Sequence, residues 1–318
     1  MNILITGGAG FIGSNLADKL LDNGDNIFVI DNFNNFYNKN LKEQNVSHNL
    51  NNKKYKLFRI NICNKSLLES VFKSNKIDVV VHLAASAGVS PSLKNPQKYI
   101  RNNICGTVNI LECMKKYNIK KLVFASSSSV YGNCSDENFS ENLNTNQPIS
   151  PYAATKLSCE QFIYTYSQLY GINAVCLRFF TVYGPRQRPD LAIRKFTDLI
   201  VKNKEITLYS DGNTLRDFTY IDDVVSGICS AIKYNKTPYE IINLGAGKPI
   251  NIRTVVKSIE KILGKNAKIK YTKPTPESVY KTSSNNEKAK KLLGYSPKTD
   301  FETGIKKFIE WYISQEEV

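Results

Sequence analysis

An apolar run, Asn2-Ile3-Leu4-Ile5-Thr6, leads directly into Gly7-Gly8-Ala9-Gly10-Phe11-Ile12-Gly13. Gly7, Gly10 and Gly13, spaced by threes between a strand pattern and a helix pattern, suit a tight turn with unusual backbone freedom. They allow the turn itself, close backbone approach to a pyrophosphate, and close packing of helix on strand. The helix that follows supplies unpaired N–H groups and the positive end of its dipole, a ready site for phosphates. A glycine motif alone is weak, but here the flanking strand and helix are both present. The next apolar run, Asn26–Asp31, ends in an acid placed to accept the hydroxyls of an adenosine ribose. That carboxylate would repel a 2′-phosphate and no arginine follows it immediately, so NAD is expected rather than NADP.

Short apolar runs continue to alternate with helical patterns, which predicts a mostly parallel, doubly wound sheet covered by helices on both faces. Strands are expected at 2–6, 26–31, 55–60, 78–83, 121–125, 173–179 and 240–244, and helices near 14–23, 66–74, 96–117, 151–170 and 221–234. The polar, Asn-rich segment 32–52 reads as a surface excursion. From Thr181 the alternation loosens, with loops at 185–189, 210–213 and 273–278. Residues 1–180 and 221–247 are therefore expected to form the NAD-binding domain. Residues 181–220 and 248–318 would form a smaller, C-terminal substrate-binding lobe closing over a cleft.

The rest of the composition mainly excludes. Seven cysteines, odd in number and never spaced Cys-x-x-Cys, argue for reduced thiols in a cytoplasmic setting, without disulfides or structural zinc. With only His48 and His82 present, a histidine metal site or Ser-His-Asp triad is not expected. The formal charge of +15 comes from dispersed lysines, often beside asparagine. It reads as a solvated surface with no nucleic-acid motif. No apolar run reaches the roughly 20 residues of a membrane span.

Near the middle of the chain stands Ser150-Pro151-Tyr152-Ala153-Ala154-Thr155-Lys156. Serine suits an N-cap and proline the first helical position, so a helix should begin here. Tyr152 and Lys156 then share one face, a turn apart. A cation beside a phenol favours the phenolate, which makes tyrosine a usable base near neutral pH. Alone, two such common residues could equally be a surface pair.

Together, Gly7-x-x-Gly10-x-x-Gly13, Asp31, His82-Leu83-Ala84-Ala85, Asn103-x-x-Gly106-Thr107, the run 126–132 and Tyr152-x-x-x-Lys156 resemble the extended short-chain dehydrogenase/reductases. The segments 178–185 and 216–223 resemble the nucleotide-sugar epimerases within that family. The resemblance implies a Rossmann-type fold holding NAD through Gly7, Gly10, Phe11, Ile12, Gly13, Asp31, Asn32, Asn61, Ile62, Leu83, Ala84, Ala85, Asn103, Tyr152, Lys156 and Phe179. It implies a catalytic set of Tyr152, Lys156, Ser127 and Ser129, with Ser128, Ser129, Thr181, Arg186, Arg188 and Arg216 toward a UDP-sugar. No metal is implied.

Related 4,6-dehydratases and decarboxylases carry an acid just before Val-Tyr-Gly, where this chain has Ser128 and Ser129. Elimination and decarboxylation are therefore disfavoured, leaving reversible oxidation at C4 through a transient 4-keto sugar. Arg188-Pro189-Asp190-Leu191-Ala192 most resembles the UDP-glucuronate 4-epimerases, with hydroxyls at 127–129 and 181 suited to a C6 carboxylate. UDP-glucose/galactose and UDP-N-acetylhexosamine stay open as substrates, as does a dehydratase, reductase or non-catalytic NAD-binding regulator. Departures fall at Asn61, Ser90-Pro91, Glu277-Ser278-Val279 and Ser284. The family also implies a homodimer through helices 96–117 and 151–170.

Overall fold

The computed structural model describes residues 1–209, 211–273 and 279–316. Strands β1 (Asn2–Thr6), β2 (Asn26–Ile30), β3 (Tyr55–Phe58), β4 (Val79–His82), β5 (Lys121–Ser127) and β6 (Asn173–Phe179) come first. The chain then leaves the sheet through β7 (Thr181–Tyr183), β8 (Glu205–Tyr209) and β9 (Leu215–Tyr220). It returns as β10 (Tyr239–Leu244) and ends with β11 (Pro249–Asn251) and β12 (Lys268–Thr272). The helices before β7 are α1 (Phe11–Asp22), α2 (Lys39–Ser47), α3 (Lys65–Ser74), α4 (Val89–Lys94), α5 (Pro96–Tyr99), α6 (Gly106–Lys116) and α7 (Pro151–Tyr170). After it come α8 (Ala192–Val201), α9 (Ile221–Lys233), α10 (Ile252–Leu263), α11 (Glu287–Leu293) and α12 (Phe301–Glu316).

The main sheet has the order β10-β6-β5-β4-β1-β2-β3, with every neighbouring pair parallel. Strand order reverses between β1 and β4, and a ligand crevice is expected beyond the carboxyl ends at such a reversal. Alternate residues of β1 feed opposite faces, as the pleat demands. Ile3 and Ile5 join a cluster with Leu16, Ile228 and Phe308, while Leu4 joins Ile110, Met114 and Ile163. The first cluster runs without an apolar break into Val182, Phe196, Val255 and Ile309. Beyond the main sheet lie a three-stranded sheet, β11-β9-β7, and a pair, β12-β8.

Two expectations need correction. The segment 32–52 is not only an excursion: it contains α2, started by the Asn38 side chain accepting from Asn40 N–H, and it buries Lys42, Asn45 and Val46. Only Leu41 and Val46 mark its periodicity, so packing rather than pattern makes it a helix. The expected helix 96–117 is interrupted by a π-helical turn, Ile100–Cys105, in which Gly106 N–H reaches back five residues to Arg101 C=O.

Candidate active site

The glycine turn is built as its spacing predicts. Gly7 has φ +71°, and a Cβ there would come within 2.9 Å of the Ala84 backbone. A Cβ on Gly13 would stand 2.4 Å from Gly7 O, so neither position admits a side chain. Gly10, the N-cap of α1, offers no side chain to the first-turn N–H groups. These donors are left facing the crevice mouth, which suits an anion. Phe11 and Gly13 are buried, and Ile12 is partly so.

Asp31 follows β2 and is buried. Its carboxylate accepts from Ala9 N–H at 3.2 Å and Phe33 N–H at 2.8 Å, and Lys42 Nζ stands 3.7 Å away. Burial pulls the Lys42 pKa down, and Asp31 opposes that pull. Asn32 is exposed and turns back on Asn34. Asn61 is exposed and accepts from Cys63 N–H at 2.8 Å. It lines a cleft of about 740 Å³ with Lys65, Glu69 and Arg101, while neighbouring Ile62 is buried. Leu83, Ala84 and Ala85 leave β4 partly buried, over the glycine turn. The Asn103 side chain accepts from Ser86 N–H and donates to Ser86 O and Thr155 Oγ1, clamping this loop to α7.

Ser150 caps α7, its side chain accepting from Ala153 N–H at 3.1 Å, with Pro151 at the first position. Lys156 is buried, donates to Ala125 O at 2.5 Å, and lies 6.0 Å from the Tyr152 ring centre. Tyr99 stands edge-on to Tyr152, centroids 6.2 Å apart, and its hydroxyl donates to Ala87 O. Burial first, then Tyr152, pushes the Tyr99 pKa up to about 12. At the end of β5, Ser127 Oγ accepts from both Ser129 N–H and Ser129 Oγ. The Ser127 proton has no acceptor among the described residues. Ser128 and Thr181 are partly buried, and buried Phe179 pairs with Ser127 across β5 and β6.

The three arginines separate. Arg188 is gripped side-on by Asp190, Nε–Oδ1 2.9 Å and Nη2–Oδ2 2.7 Å, and packs over Phe36. Its charge is felt by Tyr99, Tyr37 and Lys42, which places it among the groups around Asp31 and Tyr152. Arg216 donates to Leu215 O and Tyr280 O, and burial lowers its pKa. It has no acidic partner among the described residues, as suits an anion ligand. Arg186, expected toward the UDP-sugar, pairs with Asp18 on α1, Nη1–Oδ2 2.6 Å. Arg186 stands at positive φ, and Asp18 lies two turns into α1.

Several structural pairings carried no local sequence signal. Glu160, on the buried side of α7, binds Arg178 of β6 through Nε and Nη2 and accepts from Ser126 Oγ. Asp217, beside Arg216, accepts from Ala246 N–H, Gly247 N–H, Ser284 N–H and Ser284 Oγ. Ser284, one of the departures from the family pattern, is thus a donor to Asp217. Of the segment 277–279, Glu277 and Ser278 lie outside the described residues.

A glycine turn, an acid-tipped β2 and a Tyr-Lys-Ser constellation at one crevice define a dinucleotide-dependent enzyme of the extended short-chain dehydrogenase/reductase type. The chain belongs to the family described as GDP-mannose 4,6 dehydratase, whose model matches residues 4–308. A UDP-glucuronate 4-epimerase of Thermodesulfobacterium geofontis is 43% identical, over 97% of this chain and 95% of its own length. A UDP-glucuronic acid 4-epimerase from Bacillus cereus, solved with UDP-glucuronic acid and NAD, is similar with TM-score 0.92 and 38% identity. That match covers 99% of this chain and 100% of the other. A UDP-glucose 4-epimerase from Thermotoga maritima, solved with UDP-glucose, has TM-score 0.91 and 32% identity, covering 99% and 100%.

Proposed function

We propose that the protein is an NAD-dependent UDP-glucuronate 4-epimerase. The observation that carries this reading is Tyr152 and Lys156 on one face of α7, opposite a turn of three serines with no carboxylate. The epimerases of T. geofontis and B. cereus support the choice of sugar. The residues present fit NAD: the uncapped first turn of α1 faces its pyrophosphate, and Asp31 its adenosine ribose. The chemistry that the dinucleotide supplies when bound is reversible hydride acceptance at one carbon.

On this reading Tyr152 takes the proton from the C4 hydroxyl and later gives it back. Lys156 holds the nicotinamide ribose. Ser127, whose proton is uncommitted, donates to the reacting oxygen and orients it. Ser128, Ser129 and Thr181 meet the C6 carboxylate with hydroxyls rather than a salt bridge, which leaves the keto sugar free to turn over. Arg188 and Arg216 hold the diphosphate and uridine. The division into a domain of 1–180 with 221–247 and a lobe of 181–220 with 248–318 is part of the same reading. So are a cytoplasmic setting and a homodimer through the helical segments 96–117 and 151–170, on the second of which Phe162, Tyr164 and Leu169 are exposed.

The test is incubation of the purified protein with UDP-glucuronate, UDP-glucose and UDP-N-acetylglucosamine, followed by NMR for inversion at C4. Inversion is expected with UDP-glucuronate, and Tyr152→Phe should abolish it while NAD stays bound. Bound NAD without interconversion of any of the three would sink this reading in favour of a non-catalytic regulator.

A further inference from the structure

His82 ends β4, almost wholly out of water, and takes no part in the chemistry above. Its Nδ1 lies 2.6 Å from Thr6 Oγ1 and its Nε2 lies 3.0 Å from Thr107 Oγ1. Proton accounting decides the direction of both bonds. Thr6 Oγ1 already accepts from Ala84 N–H, and the only acceptor for its own proton among the described residues is His82 Nδ1. The imidazole proton must then sit on Nε2 and point at Thr107. The Thr107 hydroxyl donates onward to Asn103 O at 2.6 Å, a carbonyl inside the π-helical turn.

The Asn103 side chain continues the line to Thr155, whose hydroxyl donates to Tyr152 O. Every donor from Ala84 N–H to the first turn of α7 is committed in one sense. From Ala84 N–H to Asn103 O the bonds form one aligned run in which each polarises the next, and the Asn103 residue itself joins that run to Thr155. The other sides of the ring are closed by Phe124 of β5, with centroids 5.7 Å apart, and by α7. Lys156 is the charged group that acts on the ring, and the Cys159 thiol donates to the same Asn103 carbonyl.

We propose that His82, as the neutral Nε2–H tautomer, is a positioning residue: it ties the glycine turn to the π-helical turn and thereby sets where Tyr152 stands. A charged ring would have to donate from Nδ1, leaving the Thr6 proton without an acceptor.

Two measurements on the NAD-loaded protein test this. With only two histidines in the chain, ¹⁵N-histidine NMR, assigned with His48→Asn, should show His82 protonated on Nε2 alone at pH 7. A proton on Nδ1, or on both nitrogens, overturns the proposal. Thr107→Val keeps the shape but cuts the chain between His82 and Asn103. It should lower kcat about tenfold, since small misplacements of reacting groups are costly. KM and NAD content should hold, and Thr107→Ser should restore turnover. Unchanged kcat in Thr107→Val overturns it too. The kinetic arm rests on the proposed epimerase reaction; if the parent protein turns over no UDP-sugar, that reading fails while the NMR result still decides the tautomer.

Discussion

Burial sets the properties of the single residues that matter most. It pushes the His82 pKa from its ordinary 6.5 down to about 3, with the nearby Lys156 charge acting in the same direction. The folded state therefore holds a neutral ring where the unfolded chain would take up a proton. The stabilising contribution is fully present above about pH 6.5 and is lost progressively as pH falls toward about 3. Below pH 6.5 the slope approaches about 1.4 kcal/mol per pH unit. Urea midpoints measured at pH 7.5, 6 and 5 should fall in that sense, and His82→Leu should flatten the trend over this window. An equally steep trend in His82→Leu would place the titration elsewhere. Asp31 and Lys42 are buried together, 3.7 Å apart: burial pulls the Lys42 pKa down, and the Asp31 carboxylate opposes that pull.

Helix α7 places the proposed chemistry, and its start is the part most legible in the sequence. Ser150 and Pro151 predict the first residue, and the helix runs over 151–170 as its pattern says. Ser150→Ala should remove the bond to Ala153 N–H and cost about 1 kcal/mol. Calorimetry should show a lower Tm, and Ser150→Asp, which can also cap, should recover most of it. An unchanged Tm in Ser150→Ala would mean that the cap bears no weight. The glycine turn and the strand centres were equally readable, because Gly7 and Gly13 have no sterically tolerable substitute and strands buried on both faces are apolar throughout. Helix α2 was not readable. Its buried positions are Lys42, Asn45 and Val46, two of them polar, and their partners Asp31 and Ala9 lie far away in sequence. The Asp18 partner of Arg186 is hidden for a related reason: it becomes a neighbour only once α1 and the chain after β7 have packed.

At the scale of the whole molecule, β5, β6 and α7 are locked by one buried group. Glu160 and Arg178 are 0% and 2% exposed, and Ser126 shares the carboxylate. Glu160→Gln would leave a guanidinium buried without its counter-charge, at a cost of about 3–5 kcal/mol. The urea midpoint should fall sharply, and Glu160→Leu combined with Arg178→Met should recover much of the loss. A midpoint unmoved by Glu160→Gln would show that Arg178 reaches water in the folded state. The supports that the sequence did not reveal, Glu160 with Arg178 and Asp217 with Ser284, all join segments distant along the chain. No local pattern could announce them.

The π-helical turn at Ile100–Cys105 also makes chain length matter. It holds one residue more than an α-helical turn would, and each residue of an α-helix advances about 100° around the axis. The wide turn absorbs that extra residue, so α5 and α6 keep the facing they would have in an uninterrupted helix. Deleting one residue from 100–105 would close the turn to regular helix with Tyr99 and Thr107 in place, whereas a deletion within α6 would rotate everything beyond it by that angle. What the stretch cannot spare is Asn103, whose side chain holds the Ser86 loop to α7.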